Sequence, residues 1–331
     1  MQIDFHYNVV YILCRTIGYN ETLSLRIARA SQYVDDSTEP GKVQTLSKII
    51  TAHKMFDHSN LRIEDQIKIW LPFHFPPGFR GNNLFDKSIV QSDSFSISRM
   101  MSSLQEKQNE NYFPEYLGIF LHVLADSFSH QGFSPFLSDR NDLELINGHP
   151  PFKWISFLPD WLKNYVYMLM KFLPVGHLTV NTNPDLPYKQ WTYKTGRMID
   201  ETLIDNTKRF DAAVDKVKDI LILNLPETFN NQKFQQQNPI PKIKELLTIT
   251  QNGNPLKRHK IWQQKILTGH FGFQPETDIT YSEQQIESNT EFLLNFHRAA
   301  ADYKNYFHAN ITNELFKLGL DDRLKGGTTN A

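Results

Sequence analysis

The chain has 331 residues, 40% hydrophobic and 21% charged, with 35 Lys and Arg against 36 Asp and Glu and a net charge of -1. That length supports a sizeable core in one large domain or two ordinary ones. The charge balance excludes a scaffold for duplex nucleic acid, which needs a clustered basic face. A near-neutral chain can still cut a phosphoester when metal ions bring positive charge locally.

The opening MQIDFHYNVVYILCRTIG has no basic leader or small-residue cleavage site. Its apolar run is broken by Arg15 and is too short to span a bilayer. The single cysteine, Cys14, sits in that run as a small buried hydrophobe, and no intrachain disulfide can form. A cytoplasmic protein is the expectation. Helical periodicity runs over 5–17 and 21–33, hinged at Gly18 with Asn20 as N-cap. A short helix over 64–70 should stop at Pro72, and FHFPPGFRGNN (73–83) reads as a loop. A strong helix covers 115–131 and ends at Gly132. A short, very apolar helix is expected over 159–173, and long amphipathic patterns over 189–223 and 282–318.

FNNQKFQQQNPIPK and QNGNPLKR read as surface loops, and no alternating run is long enough to demand a sheet. The expected architecture is all-α: a metal-binding helical core over 1–195, a helical extension packed on it over 196–318, and a disordered tail over 319–331.

The chemistry is concentrated in HVLADSFSH. Each four-residue step on a helix turns a net ~40°, so His122, Asp126 and His130 share a stripe roughly 80° wide. Their neighbours Val123, Leu124, Ala125 and Phe128 are apolar, so this is no solvated face. Buried imidazoles and a carboxylate need partners, and divalent metals suit that set. Eight residues rise about 12 Å, too far for one ion, so two or more ions with Asp126 shared are expected. Asp4 and His6 in DFH, and Asp35 and Asp36 in SQYVDD, open and close a two-helix hairpin that brings them into reach. His74, His149 and His177 stand in Pro/Gly-flanked loops, and Asp185 follows His177 by eight residues. The remaining histidines have no acidic or spacing support and read as structural or surface groups. No GxSxG, Walker loop, GxGxxG, HExxH or His–Asp dipeptide is present.

DFHYN, SQYVDD, the HxxxDxxxH helix and the later GH resemble a bacterial family whose members open with a DFHYY motif. That family is distantly similar to the zinc-dependent phospholipase C and single-strand-specific zinc nuclease superfamily. The likeness covers about the first 195 residues. It implies an all-α fold with three zinc ions in a cleft. His6 would be the early-helix ligand, Asp35 or Asp36 the aspartate of the second helix, and His74 the loop histidine. His122 and bridging Asp126 would follow, with His130 and His177 on the remaining ion. Two departures stand out. The superfamily uses its mature N-terminal residue as a ligand, for which Asp4 is the substitute here. It also places a glutamate four residues after its last histidine, where this chain has Asn181.

The expected function is metal-dependent phosphoester hydrolysis with two or three Zn²⁺, Asp35 or Asp36 acting as base on the attacking water. The substrate is expected to be a small or lipid phosphoester, with peripheral membrane contact through WLKNYVYMLMKFL and no stable partner. The alternatives are a single-strand nuclease, with Phe73, Phe75 and Phe79 stacking bases, and a metal-stabilised helical protein without catalysis.

Overall fold

The computed structural model describes residues 1–54, 62–136, 141, 143–147, 159, 176–177, 180, 182–195, 201–226 and 238–320. The fold is all-α in character. A wide-pitched turn, Asp4–Val9, runs straight into helix α1 (Val10–Ile17). Gly18, at φ 128°, breaks it, and the Asn20 side chain caps α2 (Glu21–Asp36) by accepting from the Leu23 amide at 2.9 Å. A two-residue ribbon, β1 (Lys42–Val43) and β2 (Leu46–Ser47), follows. Three short helical pieces, α3 (Ile63–Asp65), Gln66–Trp70 and α4 (Leu71–Phe73), run continuously through Pro72, so the helix ends two residues later than that proline suggested. Beyond α5 (Leu84–Lys87) come α6 (Phe95–Lys107) and α7 (Phe113–Ser129).

The pairing of α2 with α7 is the centre of the molecule. Gly118 lets the backbones touch: a Cβ there would lie 2.4 Å from the Ile27 carbonyl and 2.8 Å from Ala30 Cβ. Small residues at a crossing allow this approach, and larger ones would force the helices apart. A buried two-pronged pair, Arg26 Nε and Nη2 donating to the Glu115 carboxylate at 2.7 Å each, locks the same contact one turn away.

A three-stranded antiparallel sheet joins β3 (Leu143–Asn147), β4 (Gln190–Thr195) and β5 (Thr202–Asp205), with Leu145 opposite Tyr193 and Trp191 opposite Ile204. It covers a small apolar cluster of Phe75, Val90, Phe133, Leu143, Val180, Trp191 and Ile204. The stretch 189–223 is thus two strands and a helix, α8 (Asn206–Leu223), rather than one amphipathic helix. QWTYKT is too short for its alternation to stand out against the helical pattern after it.

Helices α9 (Ile240–Ile249), α10 (Pro255–Leu267), α11 (Glu283–Ser288) and α12 (Thr290–Phe307) complete the described chain, with short helical turns on to Leu320. Helix α10 begins inside QNGNPLKR, where Asn254 accepts from the Leu256 amide and Pro255 takes the first helical position. The main core is one cluster drawing on residues from Met1 to Leu320, continuous across residue 195. The apolar stretch at 161–173 and the tail from 321 lie outside the described residues. Among the described residues no helix is long and apolar enough to cross a membrane.

Candidate metal centre

Five elements bring their polar residues to one place. The wide turn at Asp4–Val9 carries His6, the last turn of α2 carries Asp35, and the end of α4 carries His74. Helix α7 carries His122 and Asp126, with His130 just past its end, and the short turn Asn183–Asp185 carries Asp185 opposite His177. Three sets of donors converge closely enough to hold a metal ion: His6, Asp35 and His122; His74, His122 and Asp126; His130, His177 and Asp185.

The hydrogen bonds fix which ring nitrogen faces inward, because a carbonyl can only accept. His122 Nδ1 donates to the Ser31 carbonyl at 2.7 Å, so its Nε2 presents a lone pair. His74 Nε2 donates to the Thr51 carbonyl at 3.0 Å, leaving Nδ1 as the inward lone pair. These two inward nitrogens lie 3.2 Å apart. Two lone pairs at that distance repel unless a cation stands near both, and a metal ion satisfies them. His130 repeats the arrangement, donating from Nδ1 to the His74 carbonyl at 3.0 Å and turning Nε2 to Asp185 Oδ1 at 3.4 Å. Such backbone-oriented imidazoles are the usual support of metal ligands. Among the described residues neither ring nitrogen of His6 has a hydrogen-bond partner, although its Nε2 lies 3.2 Å from Asp126 Oδ1. A buried imidazole left open on both sides is costly. The donor set fits divalent metal.

Asp126 links two parts of the centre. Its Oδ2 faces His74 Nδ1 at 3.0 Å and His122 Nε2 at 3.2 Å, while Oδ1 faces His6 and the Met1 amino group. His130, just past the end of α7 at Ser129, keeps its Nδ1 3.7 Å from Asp126 Oδ2 while its Nε2 joins Asp185 beside His177. Met1 nitrogen also lies 3.2 Å from Asp185 and from Ser129 Oγ.

Electrostatics follow from this crowding. Burial drives His122 down to about 4 against the pull of Asp126, and burial beside His122 lowers His6 as well. Both are neutral near pH 7, the state in which imidazole ligates. Burial works against the Met1 ammonium, but Asp126, Asp185 and Asp35 raise it to about 11. Burial likewise opposes ionisation of Asp126, yet that ammonium and the flanking histidines hold its carboxyl well below the usual range. For Asp35, burial and the neighbouring Asp126 charge push the other way.

Two expected ligands do not join. Asp4 turns away to Arg258, which donates from Nε at 2.7 Å in a fully buried pair. Asp36 accepts from the Tyr281 hydroxyl at 2.5 Å and Gln32 at 3.3 Å, and burial raises it to about 6. On α2 it is turned ~100° from Asp35, which points it at the C-terminal helices. The Met1 nitrogen lies among Asp126, Asp185 and Ser129, and Asp185 stands beside His130 and His177. No local motif marks the first of these. His149 and Asn181 lie outside the described residues. Of the unassigned histidines, His259 bonds Asn8 at 2.9 Å and His297 accepts from the Ile49 amide at 3.1 Å.

Fold and site together define an all-helical protein with buried His/Asp groups that could hold metal ions. Over residues 1–314 the chain matches, and belongs to, the Family of unknown function (DUF6765). No curated protein and no solved structure matches it.

Proposed function

We propose that the chain is a metal-dependent phosphoesterase holding two or three zinc ions. The observation that carries this reading is Asp126, a buried carboxylate whose two oxygens face different histidines, as a carboxylate shared by two ions must. His6, Asp35, His74, His122, Asp126, His130, His177 and Asp185 would hold the ions. Bound ions of this kind neutralise charge on phosphoryl oxygens and make water a better nucleophile near neutral pH. With three ions, the eight converging side chains among the described residues would be too few for four-ligand cages of the structural-zinc kind, which would leave positions for water and substrate.

Asp35, 32% exposed at its side chain, and His177, 22% exposed, mark the side open to solvent. Asp35 is the carboxylate best placed to orient an attacking water and accept its proton at a carboxylate oxygen. His6 and His122, stacked at 3.9 Å and fully buried, form the sealed floor. Phe75 stacks on His130 at 4.5 Å and Trp70 tilts over His74 at 5.0 Å, so an apolar wall excludes water on one flank. A small or lipid phosphoester suits such a half-apolar cleft.

The test is elemental analysis of metal-replete protein, followed by hydrolysis of chromogenic phosphoesters before and after chelation. Two or three equivalents of zinc and activity restored by Zn²⁺ are expected. Less than one equivalent, or activity indifferent to chelator, overturns the reading. A panel of phosphatidylcholine, nucleotides and single-stranded DNA then separates lipase, nucleotidase and nuclease activities.

A further inference from the structure

Arg209 is a side-chain cation held against the turn that carries His130, and it is not among the candidate ligands. It stands in the first turn of α8, three residues after Asn206 and so on the same face. Asn206 is fully buried and anchors that turn to the Asp185 loop, donating to the carbonyls of Asn183 at 2.6 Å and Leu186 at 2.8 Å. Arg209 reaches the other side of the same ion group. Its Nη1 donates to the Ser129 carbonyl at 3.0 Å and its Nη2 to the Gln131 carbonyl at 3.2 Å, the two residues that bracket His130. The guanidinium is therefore fixed to the turn carrying His130, on a helix turn whose Asn206 is tied to the loop carrying Asp185.

Its charge has no counterpart. Arg26 and Arg258, by contrast, are each matched by a carboxylate, Glu115 and Asp4. Among the described residues no carboxylate lies within ion-pair distance of Arg209, and its partners are two neutral carbonyls. Burial pulls it down to about 10, the mark of a cation short of compensation. A guanidinium carries five N–H donors, of which these bonds take two. A planar fork with free donors beside a metal group is suited to receive an anionic oxygen.

We propose that Arg209 is the anion-recognition residue of this centre, binding a terminal phosphoryl oxygen of a phosphomonoester. This rests on the phosphoesterase reading and narrows its substrate. In a diester, ions held here would suffice for the two non-bridging oxygens. A monoester has a third terminal oxygen and a second negative charge, which call for a further cation outside the ion cluster.

Calorimetric titration of the zinc-loaded full chain with inorganic phosphate and with dimethyl phosphate tests it. The wild type is expected to bind phosphate more tightly than dimethyl phosphate. Arg209→Gln should weaken phosphate roughly 10- to 100-fold, the range of a hydrogen bond to a charged group. Dimethyl phosphate affinity and zinc content should stay unchanged, with Arg209→Lys recovering part of the loss. Equal weakening of both ligands, or unchanged phosphate affinity, overturns the proposal. Zinc lost from both variants also overturns it, since Arg209 would then only hold the His130 turn. A zinc-loaded wild type that binds neither ligand overturns the phosphoesterase reading as well, whereas a binding-competent wild type matched by Arg209→Gln overturns this inference alone.

Discussion

At the scale of single residues, the two aspartates that end in opposite roles, Asp126 and Asp36, give the sharpest contrast. Asp126→Asn keeps the shape of the side chain but removes the charge that faces two sets of histidines. It is expected to cost at least one equivalent of metal after dialysis, measured by elemental analysis. Asp36→Asn leaves metal content at the wild-type value, because that side chain bonds Tyr281 and Gln32 instead. Equal losses in the two variants would mean that Asp126 is an ordinary ligand. The α7 stripe was readable because helical spacing fixes angular position, and His122 and Asp126 needed nothing more. Which ion each residue serves was not readable. His130 faces Asp126 through Nδ1 and Asp185 through Nε2, and the Ser31 and Thr51 carbonyls that turn the other imidazoles belong to other elements.

At the scale of elements, the α2–α7 crossing sets the ligand geometry. Ser31, which orients His122, and Asp35 lie one turn apart on α2, directly beyond the contact made by Gly118. Gly118→Ala places a methyl against backbone and is expected to cost about 1–3 kcal/mol in urea unfolding. It should also weaken zinc binding, since Asp35 and His122 are displaced relative to each other. Gly253→Ala, where no atom lies within 4 Å of the new methyl, should change neither quantity. Wild-type zinc affinity in Gly118→Ala would show that the crossing is structural only. Helices α2 and α7 could be read from their caps and periodicity. The strands β4 and β5 could not, because their partners are distant and six residues of alternation resemble a helical pattern. Helix α6, begun by Ser94 accepting from the Ile97 amide, carried a legible cap that the reading passed over.

At the scale of the whole molecule, buried histidines set the acid limit. Burial holds His259 and His297 near 4, so the folded chain leaves them neutral while the unfolded chain takes up protons below about 6.5. Between pH 6.5 and 4 the unfolded state binds more protons, and stability falls as pH drops. Asp36, raised to about 6, and Asp35, raised by burial and by Asp126, act oppositely, since their folded carboxyls are protonated before the unfolded ones. His122, His6 and His308, also lowered, add to the histidine side and outweigh them. The urea midpoint of chelator-treated protein should therefore decline steadily from pH 6.5 towards 4. A midpoint that rises over that window would mean these histidines are already paired with charge. The Asp4–Arg258 pair is the largest single buried tie of this kind, and Arg258→Met is expected to cost about 3–5 kcal/mol by leaving Asp4 uncompensated.

That tie also has a consequence in time. Asp4 and Arg258 are 254 residues apart, and Tyr7 likewise waits for Ile279, to whose carbonyl its hydroxyl donates at 2.7 Å. At a synthesis rate of about 5–20 residues per second, the turn bearing His6 stays without its partners for roughly 13–50 s after it is made. Helices α2 and α7 can already have met by then, since the whole of α7 is made well before Arg258. The His6 corner of the centre is therefore expected to close last, and a nascent chain halted before Arg258 emerges should not retain its full complement of zinc.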